Sequence, residues 1–146
     1  MLRKTTLAAS VFAAAGLIAV IGLRWTGLSS LSAEAGFAAL VIALTSGRAA
    51  MTLMLARGDY ARADGAANEA AKGVTFNEAV IAIAIAAATG AIFGGVAGFI
   101  AALAPVGLAF AWLAYVTRRL DGYTGDTLGA MEQIGQIAVF LILAGA

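Results

Sequence analysis

The chain has 146 residues, of which 62% are hydrophobic and only 12% charged, and its formal net charge is +1. A soluble domain carries roughly 25% charged residues, so this composition indicates an integral membrane protein whose apolar side chains face lipid. Cysteine and histidine are both absent, which excludes disulfides, thiolate chemistry, zinc sites built on these residues and imidazole bases. Any catalysis must therefore use carboxylates, hydroxyls, Arg or Lys, and a hard metal ion.

Apolar runs with at most one charge predict an all-α protein with five transmembrane helices in a single domain over residues 1–146. In chain order, these runs are residues 7–23, 37–56, 79–117 and 127–146. The first run continues into further spans and is longer than a signal-peptide core, so we interpret it as a retained helix. The third run is long enough for two spans folded as a hairpin.

The middle of the third run is rich in residues that favour a turn, namely Gly94, Gly95, Gly98 and Pro105. Gly90, Gly94 and Gly98 also have the four-residue spacing of a close helix-packing seam. We favour the turn, because a run of this length leaves little room for any other connection.

The cationic residues between the spans predict the orientation of the chain. In order, they are Arg3 and Lys4 before the first span, Arg24 after it, Arg57, Arg62 and Lys72 in the next connection, and Arg118 and Arg119 before the last span. Connections rich and poor in Lys and Arg alternate, and the positive-inside rule then places the N-terminus in the cytoplasm. Residues 57–78 and 118–126 would share the cytoplasmic face.

Residues 118–130, RRLDGYTGDTLGA, form the most distinctive segment of the sequence. Arg118 and Arg119 supply guanidinium groups for phosphate oxygens, Asp121 and Asp126 supply carboxylates for Mg²⁺, and the glycines allow close backbone approach. The start of the last helix would also favour an anion. The alternative is that the two arginines are interfacial anchors and that Asp126 is a helix N-cap.

Residues 124–130, TGDTLGA, followed by Glu132 and an apolar helix, resemble the C-terminal signature of the cobalamin synthase family. Two further stretches are similar to its central segment. They are residues 46–48, SGR, inside a span, and residues 60–65, YARADG, in the following loop. The resemblance covers most of the chain, and residues 124–130 are its most specific part.

Arg48 lies eight residues before Ala56, about 12 Å along the helix from the predicted cytoplasmic end. An arginine at this depth costs roughly 2.5–3.5 kcal/mol on insertion scales and faces a partner or a wet cavity. Two interpretations remain open: a contact with substrate, or a buried pairing for which Glu132 is the nearest candidate.

The resemblance implies adenosylcobinamide-GDP ribazoletransferase activity in a bacterial inner membrane, with the site loops on the cytoplasmic face. A ribose hydroxyl of α-ribazole, or of its 5′-phosphate, would attack the pyrophosphate of adenosylcobinamide-GDP and release GMP. The resemblance implies Mg²⁺ as the cofactor and a lipid membrane around the protein. It implies no nucleic-acid partner. Asp126 and Arg48 would be catalytic, Asp126 also a metal ligand, and Arg62, Tyr60, Arg118, Arg119, Thr124 and Thr127 would bind substrate, the two threonines alternatively as helix caps.

The family has a further N-terminal portion with an Asp-Gly-x-x-Asp-type motif that is expected to hold the metal, and this motif is absent from the sequence. We therefore expect a fragment, one half of a split protein or a diverged member, completed by an N-terminal half or by a second copy. The alternatives to an enzyme are a structural membrane subunit and, with less support, a small transporter.

Overall fold

The computed structural model describes residues 2–61 and 73–146, and the side chains of residue 11 and of residues 14–61 and 73–146. Its four helices are α1 (Leu2–Ser29), α2 (Ala33–Arg57), α3 (Phe76–Leu120) and α4 (Gly125–Ala144). By length and composition, α2, α3 and α4 are apolar enough to cross a membrane, and α1 contributes the shorter apolar stretch Ala14–Ser29. The described chain is therefore that of an all-α membrane protein, as predicted.

The helices begin where the sequence supplies side chains that accept hydrogen bonds from free backbone N–H groups. Ser32 caps α2 by accepting a hydrogen bond from the N–H of Ala35. Thr75 and Glu78 form a capping box at the start of α3, in which the Thr75 N–H donates to Glu78 Oε2 at 2.6 Å. Asp121 ends α3 in the left-handed conformation, with φ 58° and ψ 23°, which Asp tolerates better than most residues.

Helix α3 is folded back on itself at Gly95, whose φ of 58° and ψ of −140° interrupt the helical backbone. In a straight helix Gly90 and Gly98 would be about 12 Å apart. Instead, a Cβ atom on Gly90 would collide with the Gly98 carbonyl oxygen and would lie 2.7 Å from Cβ of Ala102. The predicted hairpin is confirmed, and Gly90 and Gly98 form the close contact between its two legs.

The turn is narrower than the sequence predicted, because Pro105 lies inside the second leg of α3 rather than in the turn. Its ring packs against α4, where a Cβ atom on Gly135 would lie 2.9 Å from Pro105 Cβ. With the two legs counted separately, the described chain has five helical segments, which is compatible with the five predicted spans.

Helix α2 lies at the centre of the bundle and packs mainly against α3 and then against α4. The buried positions are dominated by small residues, which let helices approach closely where hydrocarbon offers no hydrophobic driving force. One buried cluster lies near Gly58 and the other near the Gly95 turn. The first includes Leu53, Met54, Ala79, Ala109, Val116 and Tyr123, and the second includes Ala39, Ile42, Ala43, Ala101, Ala102, Val139 and Phe140.

One prediction about α1 is wrong. The first span was predicted to end at residue 23 with Arg24 in the following connection, but α1 continues to Ser29. Arg24 lies inside the bundle, where its Nη1 atom donates to Oε1 of Gln133 at 2.7 Å. The apolar run stops at Arg24, but a single polar side chain that finds a hydrogen-bond partner does not end the helix.

Candidate site at the loop end of the bundle

Helices α2 and α3 end, and α4 begins, at one end of the bundle, which we call the loop end and define by residues 57–61 and 118–126. An isolated parallel β-bridge between Tyr60 and Tyr123 joins the two segments. The N–H of Ala61 donates to the Tyr123 carbonyl at 2.9 Å, and the N–H of Tyr123 donates to the Asp59 carbonyl at 2.9 Å. Two loops that are distant in sequence are thus held together by main-chain hydrogen bonds.

Glycines make this close approach possible. Gly122 has a φ of 147°, and a Cβ atom there would collide with the carbonyl oxygen of Asp59. A Cβ atom on Gly58 would lie 2.7 Å from Cδ1 of Tyr123 and 2.7 Å from Cδ1 of Leu113. The junction therefore requires glycine in both loops.

Tyr123 is the buried centre of the junction and has no exposed surface. Its ring lies 5.6 Å from that of Tyr60, at 59° between the ring planes. Its hydroxyl has no hydrogen-bond partner among the described residues. Burial, and to a lesser extent the negative charge of Asp59 and the neighbouring Tyr60, raise the pKa of the Tyr123 hydroxyl above its usual value.

Thr124 and Thr127 form the N-terminal cap of α4. The N–H of Thr124 donates to Thr127 Oγ1 at 2.8 Å, and the N–H of Thr127 donates to Thr124 Oγ1 at 3.3 Å. The indole N–H of Trp112 donates to the Thr127 carbonyl at 2.9 Å, which ties α3 to this first turn. The capping role left open for these threonines is confirmed.

Asp126 is the second residue of α4 and is exposed, so the alternative that Asp126 is the N-cap is wrong. Thr124 takes that position because its hydroxyl reaches the Thr127 N–H. As an acidic residue in the first turn, Asp126 interacts favourably with the helix dipole. Its carboxylate is available to solvent at the loop end.

Three arginines lie exposed at the loop end. Arg118 and Arg119 occupy the last turn of α3, and the guanidinium of Arg119 lies 5.9 Å from the centre of the Tyr115 ring. Arg57 ends α2, with its guanidinium 4.7 Å from the centre of the Phe76 ring. These cations give the loop end a positive surface for anionic groups.

The described residues of the loop end do not form a metal site by themselves. Within residues 2–61 and 73–146, no three acidic side chains lie close enough together to hold a metal ion. Asp59, Asp121 and Asp126 are each exposed, and Mg²⁺ held by a protein alone needs more than one such oxygen ligand. The roles predicted for Mg²⁺ and for Asp126 as its ligand stay predictions.

Arg48 is not at the loop end. It lies nine residues before Arg57, about 14 Å along α2, and its Nε is 3.3 Å from Oε1 of Glu132. Gln136 also donates to that carboxylate, at 3.4 Å. The pairing with Glu132 considered from the sequence is thus confirmed, although the Arg48 side chain is 72% exposed and that of Glu132 only 15%.

The structure therefore separates the predicted site residues into groups. Those brought together at the loop end are Tyr60, Arg118, Arg119, Thr124 and Asp126, and Thr127 follows directly in the first turn of α4. Arg48 lies deeper in the bundle, and Arg62 lies outside the described residues, as does Lys72. Sequence analysis missed Gly122, Tyr123 and Trp112 as residues that hold the loop end together. Gly122 and Tyr123 lie inside the distinctive segment 118–130, whereas nothing in the sequence singles out Trp112.

Comparison with known proteins identifies relatives of the chain. Residues 9–144 match the family model described as cobalamin-5-phosphate synthase. The adenosylcobinamide-GDP ribazoletransferase of Mesorhizobium japonicum is 37% identical over 127 residues, which cover 85% of this chain and 48% of the relative. Proteins with the same name from Ralstonia nicotianae and Pseudomonas fluorescens strain SBW25 are each 32% identical and cover 90% and 97% of this chain.

No solved structure gives a significant match to the chain. The chain spans about half the length of the curated relatives it matches, for example 52% of the Ralstonia nicotianae protein and 61% of the Pseudomonas fluorescens SBW25 protein. The family match nevertheless extends over nearly all of the chain and includes both segments of the loop end. On this evidence the chain belongs to the cobalamin-5-phosphate synthase family.

Proposed function

We propose that the loop end forms part of the substrate site of an adenosylcobinamide-GDP ribazoletransferase. The substrates would be adenosylcobinamide-GDP and α-ribazole or its 5′-phosphate. A ribose hydroxyl attacks the phosphorus bonded to the cobinamide side of the pyrophosphate, the bond to the GMP oxygen breaks, and GMP leaves. The hydroxyl proton is lost, and the product is a cobalamin or its phosphate.

The observation that carries this proposal is the Tyr60–Tyr123 bridge. It joins the two loops in which the family resemblance placed substrate-binding residues, and it does so by main-chain hydrogen bonds. A site assembled from both loops then needs no large movement of the bundle.

The chemical inventory of the loop end suits a pyrophosphate substrate. Phosphoryl transfer depends mainly on positioning and on stabilising charge at the phosphate oxygens. Arg118 and Arg119 can each donate two parallel hydrogen bonds to phosphate oxygens, and the first turn of α4 adds free backbone N–H groups. In this proposal the arginines hold the pyrophosphate, while Asp126 contacts a substrate hydroxyl or a metal ion.

The prediction that Arg48 touches substrate receives no support from its position, since it is paired with Glu132 about 14 Å from the end of α2. A structural role for this arginine is favoured. Arg62 remains in the proposal on the family resemblance alone.

We further propose that the loop end faces the cytoplasm of a bacterial inner membrane. The structure supports the charge argument, because Arg57, Arg118 and Arg119 all lie at the loop end. From the sequence, Arg24 was the one cation expected in the connection between the first two spans, at the opposite end of the bundle. In the structure its side chain bonds to Gln133 in the middle of α4 instead. With Arg24 removed, the described residues at the opposite end of the bundle contain no Lys or Arg.

The proposal is tested by measuring GMP release from adenosylcobinamide-GDP and α-ribazole in proteoliposomes. The chain is supplied alone, or together with the portion of the Mesorhizobium japonicum relative that it does not match, and the complete relative serves as positive control. We expect GMP release in at least one arrangement. A double variant, Arg118→Gln with Arg119→Gln, should raise KM for adenosylcobinamide-GDP about tenfold or more, because two phosphate contacts are removed.

The matched control is Arg57→Gln, which removes a cation from the same end of the bundle but from a position without a predicted substrate contact. An equal effect of both changes would reduce the role of Arg118 and Arg119 to a general surface charge. Absence of GMP release in both arrangements, while the complete relative is active, would instead favour the structural membrane subunit.

A further inference from the structure

Two arginines contact neighbouring residues of α4 in the middle of the bundle. Arg48 of α2 pairs with Glu132, and Arg24 of α1 donates to Gln133 at 2.7 Å. Gln133 lies eight residues after Gly125, about 12 Å into α4, with eleven residues following it before the helix ends. Both guanidinium groups therefore lie at a similar depth in the bundle, away from both ends of α4.

The charges at this depth do not balance within the described chain. Glu132 is already paired with Arg48, whereas the described partner of Arg24 is a neutral amide. The other acidic residues on the described helices, Glu34, Glu78 and Asp126, are in first turns at helix ends. An arginine inside a membrane normally pairs with an acidic group or faces a wet cavity.

Arg24 faces a cleft between α1 and α2. Helix α1 packs mainly against α4 and barely touches α2, which leaves the space between them open. The cleft is lined by Ile21, Arg24, Trp25 and Leu28 of α1, Leu40 of α2 and Phe140 of α4. All of these side chains except Arg24 are apolar or aromatic, so the cleft combines one cation with a hydrocarbon-like surface.

We propose that this cleft is the seat of a transmembrane helix from outside this sequence, carrying an Asp or Glu at the depth of Arg24. The apolar lining fits the side chains of a helix, and the single guanidinium fits one carboxylate. A nucleotide or corrinoid needs many hydrogen-bonding groups, which the cleft lacks. An anionic lipid carries its charge at the membrane surface, far from this depth.

The described residues of a second copy of the chain offer no spare carboxylate at this depth. Among the described residues, Glu132 is the one carboxylate in the middle of a helix, and Arg48 already occupies it. The partner helix must therefore come from a different polypeptide region. Such an assembly would form whether or not the chain takes part in the proposed reaction.

The absence of cysteine from the chain allows a direct test. A single cysteine is introduced as Leu40→Cys in the cleft, or as Ala82→Cys in the groove between α2 and α3 that Arg48 also lines. Each variant carries a benzophenone label and is made in cells together with the unmatched portion of the Mesorhizobium japonicum relative. After illumination of the membranes, the cross-linked peptide is identified by mass spectrometry.

We expect the Leu40 label to capture a membrane-spanning peptide that contains Asp or Glu, in at least tenfold excess over the Ala82 label. Arg24→Gln should lower this capture about tenfold, the ratio expected for loss of an interhelical polar contact, and Arg24→Lys should largely preserve it. In a chain with Arg24→Glu, capture should be restored when the Asp or Glu of the captured peptide is replaced by Lys.

Capture of a second copy of the chain, capture of lipid alone, equal capture from both positions, or capture unaffected by Arg24→Gln would each overturn the proposal. Helix content measured by circular dichroism separates loss of the partner from loss of the fold. GMP release plays no part in the readout, so failure here leaves the proposed function untouched.

Discussion

The Nε atom of Arg48 lies 3.3 Å from Oε1 of Glu132, and this contact joins the middle of α2 to α4. Gly47 lies against this pair, and a Cβ added there would be in ordinary van der Waals contact with Cγ of Glu132, at 3.4 Å. Gln136 donates to the same carboxylate. The carboxylate of Glu132, the less exposed member of the pair, therefore contacts the Arg48 guanidinium and the Gln136 amide.

This pair predicts an asymmetric response to mutation. Arg48→Gln leaves Glu132 without its cation and should lower the free energy of unfolding by about 1–2 kcal/mol, in the range of interhelical polar contacts in membranes. The double variant Arg48→Gln with Glu132→Gln should lie closer to the unchanged chain, since no unpaired charge remains. Reversible unfolding in mixed micelles measures both, and additive losses would contradict the pairing.

Gly95 should be sensitive to alanine although nothing lies near its Cβ position. Its φ of 58° with ψ of −140° is a conformation that an L side chain rarely adopts, and Gly95→Ala should cost about 1–3 kcal/mol through backbone strain. Gly107→Ala is the matched control, because it lies in the same helix with open space at its Cβ position and no positive φ. It should be neutral or stabilise by roughly 0.5–1 kcal/mol. Equal effects in an unfolding experiment would argue against the hairpin turn at Gly95.

Gly122→Ala should separate the two loops of the loop end. A Cβ atom there collides with the Asp59 carbonyl, to which the Tyr123 N–H donates. We expect faster hydrogen exchange at the amides of Ala61 and Tyr123, and a loss of GMP release where that activity is observed. Gly129→Ala, with nothing near its Cβ position, is the control. Unchanged exchange in the Gly122 variant would contradict the bridge.

The buried hydroxyl of Tyr123 gives a pH-dependent prediction. Its pKa is raised in the folded chain, so the folded state holds this proton more tightly than the unfolded state, whose tyrosine pKa is about 10. The resulting contribution to stability is complete below that pH and is lost as pH rises further. Tyr123→Phe should remove this part of the alkaline decline and keep the stability at neutral pH within about 1 kcal/mol.

The measurement for Tyr123 compares unfolding against pH for the two chains, with tyrosinate absorbance as a second probe. Tyr60 and Tyr115 are present in both chains, so the comparison isolates the contribution of Tyr123. A steeper alkaline decline in the Tyr123→Phe variant would reverse the predicted sign.

Several features of the fold could be predicted from the sequence because they depend on local composition. Apolar runs with few charges identify helices that prefer hydrocarbon, and Gly95 lies in the glycine-rich segment where a turn was expected. The even alternation of cationic connections predicted that residues 57–61 and 118–126 lie at the same end, and the Tyr60–Tyr123 bridge confirms that they do.

Only the tertiary structure determines which side chains contact each other. Glu132 and Gln133 are neighbours in the sequence, yet one faces α2 and the other α1, because successive residues of a helix point about 100° apart. Which arginine reaches which residue then depends on the rotation and depth of three packed helices. The sequence shows which residues are charged, whereas helix packing determines that Arg48 is paired and that Arg24 faces a cleft.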